Sequence, residues 1–205
     1  MSLQPGTEQE LRQHCEEGRY SDATALAIRS YGPEILGFLI AHHNSEEDGE
    51  EVFSRWSERI FRALPRFGWA ASFRTWAYAV ARNLALNYQR GQRVRGRHES
   101  PALSDELAAA VHQVRTATLP HLRTEAKSRL VAIRDALPPE DRMLLVLRVD
   151  KRLEWKELAR VMLGEENETS DTILLKESQR LRKRFQILKE KLVETGKREG
   201  ILDRS

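Results

Sequence analysis

The chain has 205 residues and a net charge of +3, from 34 Lys and Arg against 31 Asp and Glu. Hydrophobic residues make up 40% of it, which is enough to form a core and excludes wholesale disorder. No apolar run approaches the roughly 20 residues of a membrane helix, and the N-terminus does not resemble a signal peptide. The single Cys15 excludes an intramolecular disulfide framework. We therefore expect a cytoplasmic protein with no membrane segment.

The small net charge conceals blocks of one sign. Residues 45–51 read SEEDGEE, with five acids and no base, whereas residues 89–98 read QRGQRVRGRH, with four Arg and no acid. An acidic block can bind a basic protein surface, and a basic block can bind phosphate. This segregation indicates more than one kind of partner.

Apolar residues recur with helical spacing through most of the chain, and no segment alternates with the period of a strand. We therefore predict an all-α fold. Residues 23–42 are interpreted as a pair of helices or one broken helix, since Gly32 and Pro33 interrupt them. The next helix is capped by Ser45 and ends at Pro65.

The helical pattern weakens after Gly91, where Gly, Ser and Pro become more frequent. This change predicts a linker between two small helical domains. The predicted boundaries are 1–19 for an N-terminal extension, 20–97 for the first domain, 98–121 for the linker, 122–195 for the second domain and 196–205 for a tail.

The second domain contains a pair of helices typical of DNA-binding proteins. Trp155 to Leu163 is followed by the acidic turn EENETSD and then by a long basic helix from Thr172 to Glu194. Two helices joined by a turn, with the second one basic, indicate a helix-turn-helix, although its usual turn has only about three or four residues.

Sequence motifs of catalysis are absent. The chain has no phosphate-binding glycine loop, no zinc-protease motif and no nucleophile elbow, and its six His residues do not have the spacing of metal ligands. We predict that the protein is not an enzyme and uses no metal, cofactor or small-molecule substrate.

The segment 72–88, SFRTWAYAVARNLALNY, combines aromatic residues, Arg and Asn on one helix. Aromatic rings stack on unpaired bases, Asn can hydrogen-bond a base edge, and Arg neutralises phosphate. The combination suits single-stranded or melting DNA better than an intact duplex. The alternative is that Phe73, Trp76 and Val80 are core residues beside a solvated Arg face; for the whole cluster we favour nucleic-acid binding.

Three segments of the chain resemble extracytoplasmic-function (group 4) sigma factors of the sigma-70 family, which initiate bacterial transcription with RNA polymerase. FRTWAYAVARNLALNYQRGQRVR resembles their promoter-melting helix, and residues 48–67, DGEEVFSRWSERIFRALPRF, are similar to their acidic clamp-binding helix. Residues 130–164, LVAIRDALPPEDRMLLVLRVDKRLEWKELARVMLG, are similar to the start of their second domain. The resemblance covers about 20–97 and 125–192.

The resemblance implies a transcription initiation factor that binds core RNA polymerase at the β′ clamp helices and the β flap, recognises the –35 and –10 promoter elements and promotes DNA melting. It also allows an anti-sigma factor as a partner. The implied polymerase contacts are Asp48, Glu50 and Glu51. The implied –10 contacts are Trp69, Phe73, Arg74, Trp76, Arg82, Asn83, Asn87, Tyr88, Arg90 and Arg93. The implied –35 contacts are Lys176, Gln179, Arg180, Arg182 and Lys183.

The chain departs from the family pattern at several of these places. Ser54 and Arg55 replace a usual Gln-Glu pair, and Glu154 replaces a Ser or Thr cap. A helical adaptor or anti-sigma-like protein that binds polymerase or another factor without base contacts is the alternative. The acidic turn and the modest net charge support this alternative, and the aromatic, Asn and Arg helix opposes it.

Overall fold

The computed structural model describes residues 6–91, 104–125, 134, 136–164 and 170–198. Every regular element within these ranges is helical, which confirms the predicted all-α fold. The chain divides into two compact units, Met1–Pro120 and His121–Ser205. No helix in the described ranges is long and apolar enough to cross a membrane.

The helices of the first unit surround a central helix, α2. α2 contacts the helices before and after it, and its own two ends are joined to them by short turns. A single 3-10 turn, Leu64–Arg66, extends the third helix. The bounds are Thr7–Glu16 for α1, Tyr20–His43 for α2, Glu46–Ala63 for α3, Phe73–Gly91 for α4 and Asp105–Glu125 for α5, of which the part up to Pro120 belongs to this unit.

α2 runs unbroken through Gly32 and Pro33, where the sequence predicts an interruption. Pro33 removes one backbone N–H from the helix, but buried apolar residues lie on both sides of it and hold the helix in the core. Gly32 does not break the helix; its lack of a side chain allows neighbouring helices to pack closely against α2. A Cβ at Gly32 would lie 3.1 Å from both Cγ atoms of Val114 and 3.2 Å from Cζ of Phe53.

The start of α3 is fixed by a cap and by a second close contact. The Ser45 Oγ accepts a hydrogen bond from the Asp48 N–H at 3.1 Å, which confirms the predicted cap. One residue later, a Cβ at Gly49 would lie 2.5 Å from Cγ1 of Ile40 and 2.9 Å from its backbone N and Cα. Gly49 therefore allows α3 to lie directly against the C-terminal part of α2.

Aromatic residues form most of the core of the first unit. The Trp56 indole is fully buried and donates a hydrogen bond from Nε1 to the Ala77 carbonyl at 3.0 Å, which links α3 to α4. The other large, fully buried side chains include Tyr31, Phe38, Phe53, Phe73 and Tyr78.

The structure differs from the linker predicted for 98–121. Residues 105–125 form α5, whose apolar side is buried on the first unit through Leu107, Ala110, Val111 and Val114. Burial of this stripe at helical spacing explains why the segment is a helix and not a connector. The N-terminal extension also has regular structure, since α1 buries Leu11 against α2.

The second unit contains three described helices and one π-helical turn. α6 spans Pro139–Leu145 and continues as the π-helical turn Val146–Asp150; α7 spans Trp155–Leu163 and α8 spans Asp171–Arg198. α7 and α8 are in contact, and α6 also contacts α8. Most of the acidic turn between α7 and α8 lies outside the described residues. The Glu154 N–H donates to the Glu157 carboxylate at 2.9 Å, so the start of α7 is stabilised without a Ser or Thr cap.

Candidate functional site

The three predicted polymerase contacts at the start of α3 have different surroundings. The Asp48 carboxylate accepts a hydrogen bond from the Tyr88 hydroxyl at 2.8 Å. The Glu50 carboxylate lies 3.6 Å from Nε of Arg115. Glu51 pairs with Arg55 at 2.9 Å and keeps 49% of its side chain exposed. Of the three acids, Glu51 therefore has the most accessible side chain for a protein partner.

Tyr88 joins the end of α4 to this acidic helix start. Besides its bond to Asp48, its ring meets the His43 ring edge-on, with centroids 5.4 Å apart. The Arg55 guanidinium lies 5.2 Å from the same ring centroid. The sequence predicts Tyr88 as a DNA contact, whereas the structure places it against the predicted polymerase contacts. The two predicted surfaces therefore meet at one side chain.

Arg115 of α5 covers part of α3, and sequence reasoning missed it. Its Nη2 donates to the Glu50 carbonyl at 2.7 Å and to the Ser54 Oγ at 2.8 Å. The apolar residues of α5 recur at helical spacing immediately before Arg115 and fix it over this part of α3. That spacing is the signal that could have found it.

An aromatic cluster surrounds the loop between the 3-10 turn and α4. The half-buried Phe67 ring stacks on Trp76 with centroids 4.5 Å apart and tilts against Trp69 at 4.7 Å. Trp69 has a left-handed backbone with φ of 56°, a conformation that is costly for a large side chain. The Arg12 guanidinium of α1 lies 5.5 Å from the Trp69 ring centroid. Phe67 and Arg12 were not among the predicted site residues.

Phe73 does not offer the exposed ring that the sequence predicts. It is fully buried beneath the loop and packs against Tyr31 with ring centroids 4.9 Å apart. For Phe73 the alternative interpretation as a core residue is therefore correct. Trp69 and Trp76 remain half-buried, so each keeps part of its surface accessible.

The polar residues of α4 separate into two faces. Spacing of 7, 11 and 14 residues places Trp76, Asn83, Asn87 and Arg90 on one side of the helix, and Asn87 and Arg90 are exposed. Arg74 lies on another side, where it makes a two-pronged ion pair with Glu34 at 2.8 and 2.9 Å. Its charge is therefore balanced by Glu34, so a contact of Arg74 with –10 DNA would have to compete with this ion pair.

Arg82 and Asn83 are neighbours that contact each other. The Arg82 Nη1 lies 3.4 Å from the Asn83 Oδ1, and both side chains are half-buried. This contact engages the Asn83 Oδ1 and not its amide N–H groups. Arg93, the last of the predicted –10 contacts, lies outside the described residues.

In the second unit, α8 presents most of its predicted DNA contacts on its exposed side. Lys176, Gln179 and Lys183 are exposed. Arg180 is exposed but pairs with Glu177 at 2.6 Å, and this hydrogen bond raises the pKa of the Arg180 guanidinium. The Arg182 guanidinium lies 5.6 Å from the Trp155 ring of α7. The structure therefore groups Lys176, Gln179 and Lys183 and ties Arg180 and Arg182 to protein partners.

A serine in α8 anchors it to α7. Ser178 is almost fully buried, and its Oγ donates to the Trp155 carbonyl at 3.0 Å or the Leu174 carbonyl at 2.7 Å. Lys156, the neighbour of Trp155 at the start of α7, pairs with Asp171 at the start of α8 at 2.9 Å. These bonds set the orientation of the exposed side of α8 relative to α7.

In the described residues, no three His, Cys, Asp or Glu side chains are grouped as metal ligands.

Comparison with known proteins identifies a similarity for one part of the chain. No curated protein matches the chain. Residues 27–95 match the family model of Sigma-70 region 2, over a stretch that includes most of α2, all of α3 and α4, and the aromatic loop. The helical unit that carries the acidic helix start and the aromatic cluster is thus similar, over residues 27–95, to Sigma-70 region 2.

Proposed function

We propose that the protein is a transcription initiation factor of the extracytoplasmic-function (group 4) type. It binds core RNA polymerase, recognises the –35 and –10 elements and promotes DNA melting. The observation that carries this proposal is the match of residues 27–95 to Sigma-70 region 2. Additional support comes from the acidic start of α3 and the aromatic loop before α4, which lie within that match.

The polymerase contact is assigned to the acidic start of α3, Asp48, Glu50 and Glu51, facing the β′ clamp helices. Glu46, Glu47 and Asp48 form the acidic first turn of α3, and they lie at the positive end of the helix dipole, which stabilises their charge. Glu51 is the principal contact because its side chain is the most exposed of the three.

The –10 contact is assigned to the aromatic loop and to the face of α4 with Trp76, Asn83, Asn87 and Arg90. Extruding a base from the stack costs a few kcal/mol, which a surface that stacks and hydrogen-bonds the base offsets. Trp69 and Trp76 supply ring surface, and Asn83 supplies amide donors. Phe73 supports this surface from below, since it is buried under both the loop and Trp76.

The –35 contact is assigned to α8, through Lys176, Gln179 and Lys183. α7 and α8 would act as the helix-turn-helix, with the exposed side of α8 in the major groove. In this arrangement Arg180 and Arg182 take a smaller part, because Glu177 and Trp155 hold them. The same unit would bind the β flap of the polymerase.

Polymerase binding and run-off transcription test the proposal together. The full chain should co-purify with core polymerase and start transcription at a promoter selected from genomic fragments. Glu51→Lys should weaken the association while leaving helicity unchanged. Glu10→Lys, at an exposed acid of α1, makes the same charge change and should not weaken it. Equal affinities for the two variants would remove the acidic helix start from the polymerase contact.

Melting is tested with Asn83→Ala on two templates. The variant should impair open-complex formation on a duplex promoter more than on a promoter with a pre-melted –10 bubble, as scored by permanganate footprinting. Gln113→Ala, at an exposed position of α5, is the control. Equal losses on both templates would indicate a defect in folding or polymerase binding.

The adaptor or anti-sigma-like alternative makes a different prediction. Such a protein would bind core polymerase or another factor but would not shift a forked –10 DNA together with the polymerase. A gel shift with core polymerase and forked DNA separates the two functions.

A further inference from the structure

Arg115 of α5 contacts two residues of α3 that are one helical turn apart, Glu50 and Ser54. Its guanidinium contacts the carboxylate and carbonyl of Glu50 and the hydroxyl of Ser54. Glu50 belongs to the acidic helix start, and Ser54 lies on the same side of α3 one turn further along. The part of α3 assigned to the polymerase is therefore partly covered within the protein itself.

The chemistry of this contact is that of an arginine-binding site. A carboxylate, a backbone carbonyl and a hydroxyl converge on one planar guanidinium, which presents several donors in a fixed fork. The contact is incomplete, because the buried Arg115 Nε forms no hydrogen bond within the described residues and lies 3.6 Å from the Glu50 carboxylate. About a third of the Arg115 side chain, 30%, remains exposed.

α5 does not depend on Arg115 for its attachment. Its apolar side is buried, and Val114 packs at close range against Gly32 of α2. The Arg115 side chain can therefore leave Glu50 and Ser54 while the helix stays in place. A side-chain exchange of this kind requires no unfolding of α5.

We propose that Arg115 is an internal competitor for the polymerase-binding surface of α3. In the unbound protein it holds Glu50 and Ser54; in the complex, a guanidinium group carried by the polymerase takes its place. The inference rests on the proposed function and adds two statements to it. The partner side chain at Glu50 is an arginine, and the unbound protein binds polymerase more weakly than the same surface would without Arg115.

The test is a titration of the labelled full-length chain with core polymerase. Removing the competitor raises the fraction of binding-competent protein, so Arg115→Ala should bind about three- to tenfold more tightly than the unaltered chain. Arg115→Lys should give an intermediate affinity, because it keeps the charge and loses the fork. Arg29→Ala removes the same charge from an exposed position of α2 and should bind like the unaltered chain.

A double-substitution cycle separates competition from a structural role. In a Glu50→Gln background, Arg115→Ala should give little or no gain, because the surface that it uncovers has lost its charge. Circular dichroism and thermal unfolding establish that each variant is folded. If Arg115→Ala is unstable, Arg115→Gln, which keeps the length of the side chain better, replaces it in the same cycle.

Two results would overturn the inference. Affinity of Arg115→Ala equal to that of Arg29→Ala would show that Arg115 does not compete, and weaker binding would make α5 part of the polymerase contact. Failure of the unaltered chain to bind core polymerase would instead overturn the proposed function itself. The two failures are thus distinguished within one set of titrations.

Discussion

Gly49 is the residue at which α2 and α3 come closest. Alanine is the better helix former by about 1 kcal/mol, so propensity alone favours Gly49→Ala. The new Cβ would meet backbone atoms of Ile40 at 2.9 Å, and backbone cannot rotate away as a side chain can. We expect the clash to dominate and the free energy of unfolding to fall by about 1–3 kcal/mol. Urea unfolding measures the change.

Gly68 provides the control for this substitution. It lies in the loop before α4, and a Cβ there would meet no atom within 4 Å. Gly68→Ala should therefore change the unfolding free energy by about 0.5 kcal/mol or less. A loss at Gly68 as large as that at Gly49 would show that the close approach to Ile40 is not the cause.

The raised pKa of the buried Tyr31 predicts that the protein loses stability at high pH. Burial, followed by the carboxylates of Glu8 and Glu34, raises the pKa of Tyr31 from 10.0 to about 12. The unfolded chain releases this proton first, so the folded state binds more protons between these values and stability falls as the pH rises through them. The expected contribution is about 1–3 kcal/mol. Denaturant unfolding from pH 9 to pH 12 should show a smaller loss for Tyr31→Phe than for Tyr20→Phe.

At the scale of elements, local patterns predict helices and caps better than they predict contacts. The Ser45 cap and the stripe of α3 are visible in the sequence because both depend on residues three or four apart. Gly32 and Pro33 indicate a break only if local preference decides, whereas burial on both sides of them keeps α2 continuous. The sequence predicts a linker where α5 lies, because the Gly and Pro residues before this segment are a stronger local signal than its short apolar stripe.

The candidate site shows the same division. From sequence alone, the acidic and aromatic residue types indicate a surface for a basic protein and a surface for nucleic acid; polymerase as the protein partner is implied by the family resemblance. Which side chains stay accessible depends on partners far along the chain, such as Glu34 for Arg74 and Asp48 for Tyr88, each 40 residues away. The sequence pattern does not show that Phe73 is buried while Trp76 stays partly accessible, because an aromatic residue in an apolar stripe can pack in the core or stack on a base.

α8 allows a comparison of two cations in one helix. Lys183 is exposed, whereas Arg180 is held by Glu177 at 2.6 Å. If Lys183 binds a phosphate, Lys183→Ala should lower the slope of log affinity against log salt concentration by about 0.9, and Arg180→Ala should lower it less. Fluorescence anisotropy with a duplex –35 element at several salt concentrations measures both slopes.

Lys191, further along α8, is the control for this comparison. It is also exposed, and Lys191→Ala removes the same charge two turns beyond Lys183. We expect its salt slope to stay close to that of the unaltered chain. Equal slopes for all three variants would mean that Lys183 does not bind a phosphate of the DNA.

At the scale of the whole molecule, the unit boundary predicts which fragments fold. A fragment of residues 1–120 contains the buried stripe of α5, whereas a fragment of residues 1–97 exposes the surface that Leu107, Val111 and Val114 cover. Full burial of each such side chain contributes roughly 1.5–3 kcal/mol. The shorter fragment should therefore be less stable by about 3 kcal/mol or more in urea unfolding. Similar stabilities for the two fragments would mean that the first unit ends at the end of α4 and does not include α5.

Under the proposed function, in which Asp48 binds polymerase and Tyr88 binds –10 DNA, the hydrogen bond between these two residues couples the two partners. A polymerase group that draws Asp48 away would weaken the hold of Asp48 on the Tyr88 hydroxyl at the end of α4, the end assigned to DNA in the proposal. Thermodynamic reciprocity requires that DNA bound at Tyr88 strengthen the hold on polymerase by the same factor. Tyr88→Phe, which lacks the hydroxyl, should reduce the gain in polymerase affinity that forked DNA provides. One side chain would thus make promoter capture and retention of the enzyme mutually reinforcing, so that the factor dissociates most readily where no promoter is present.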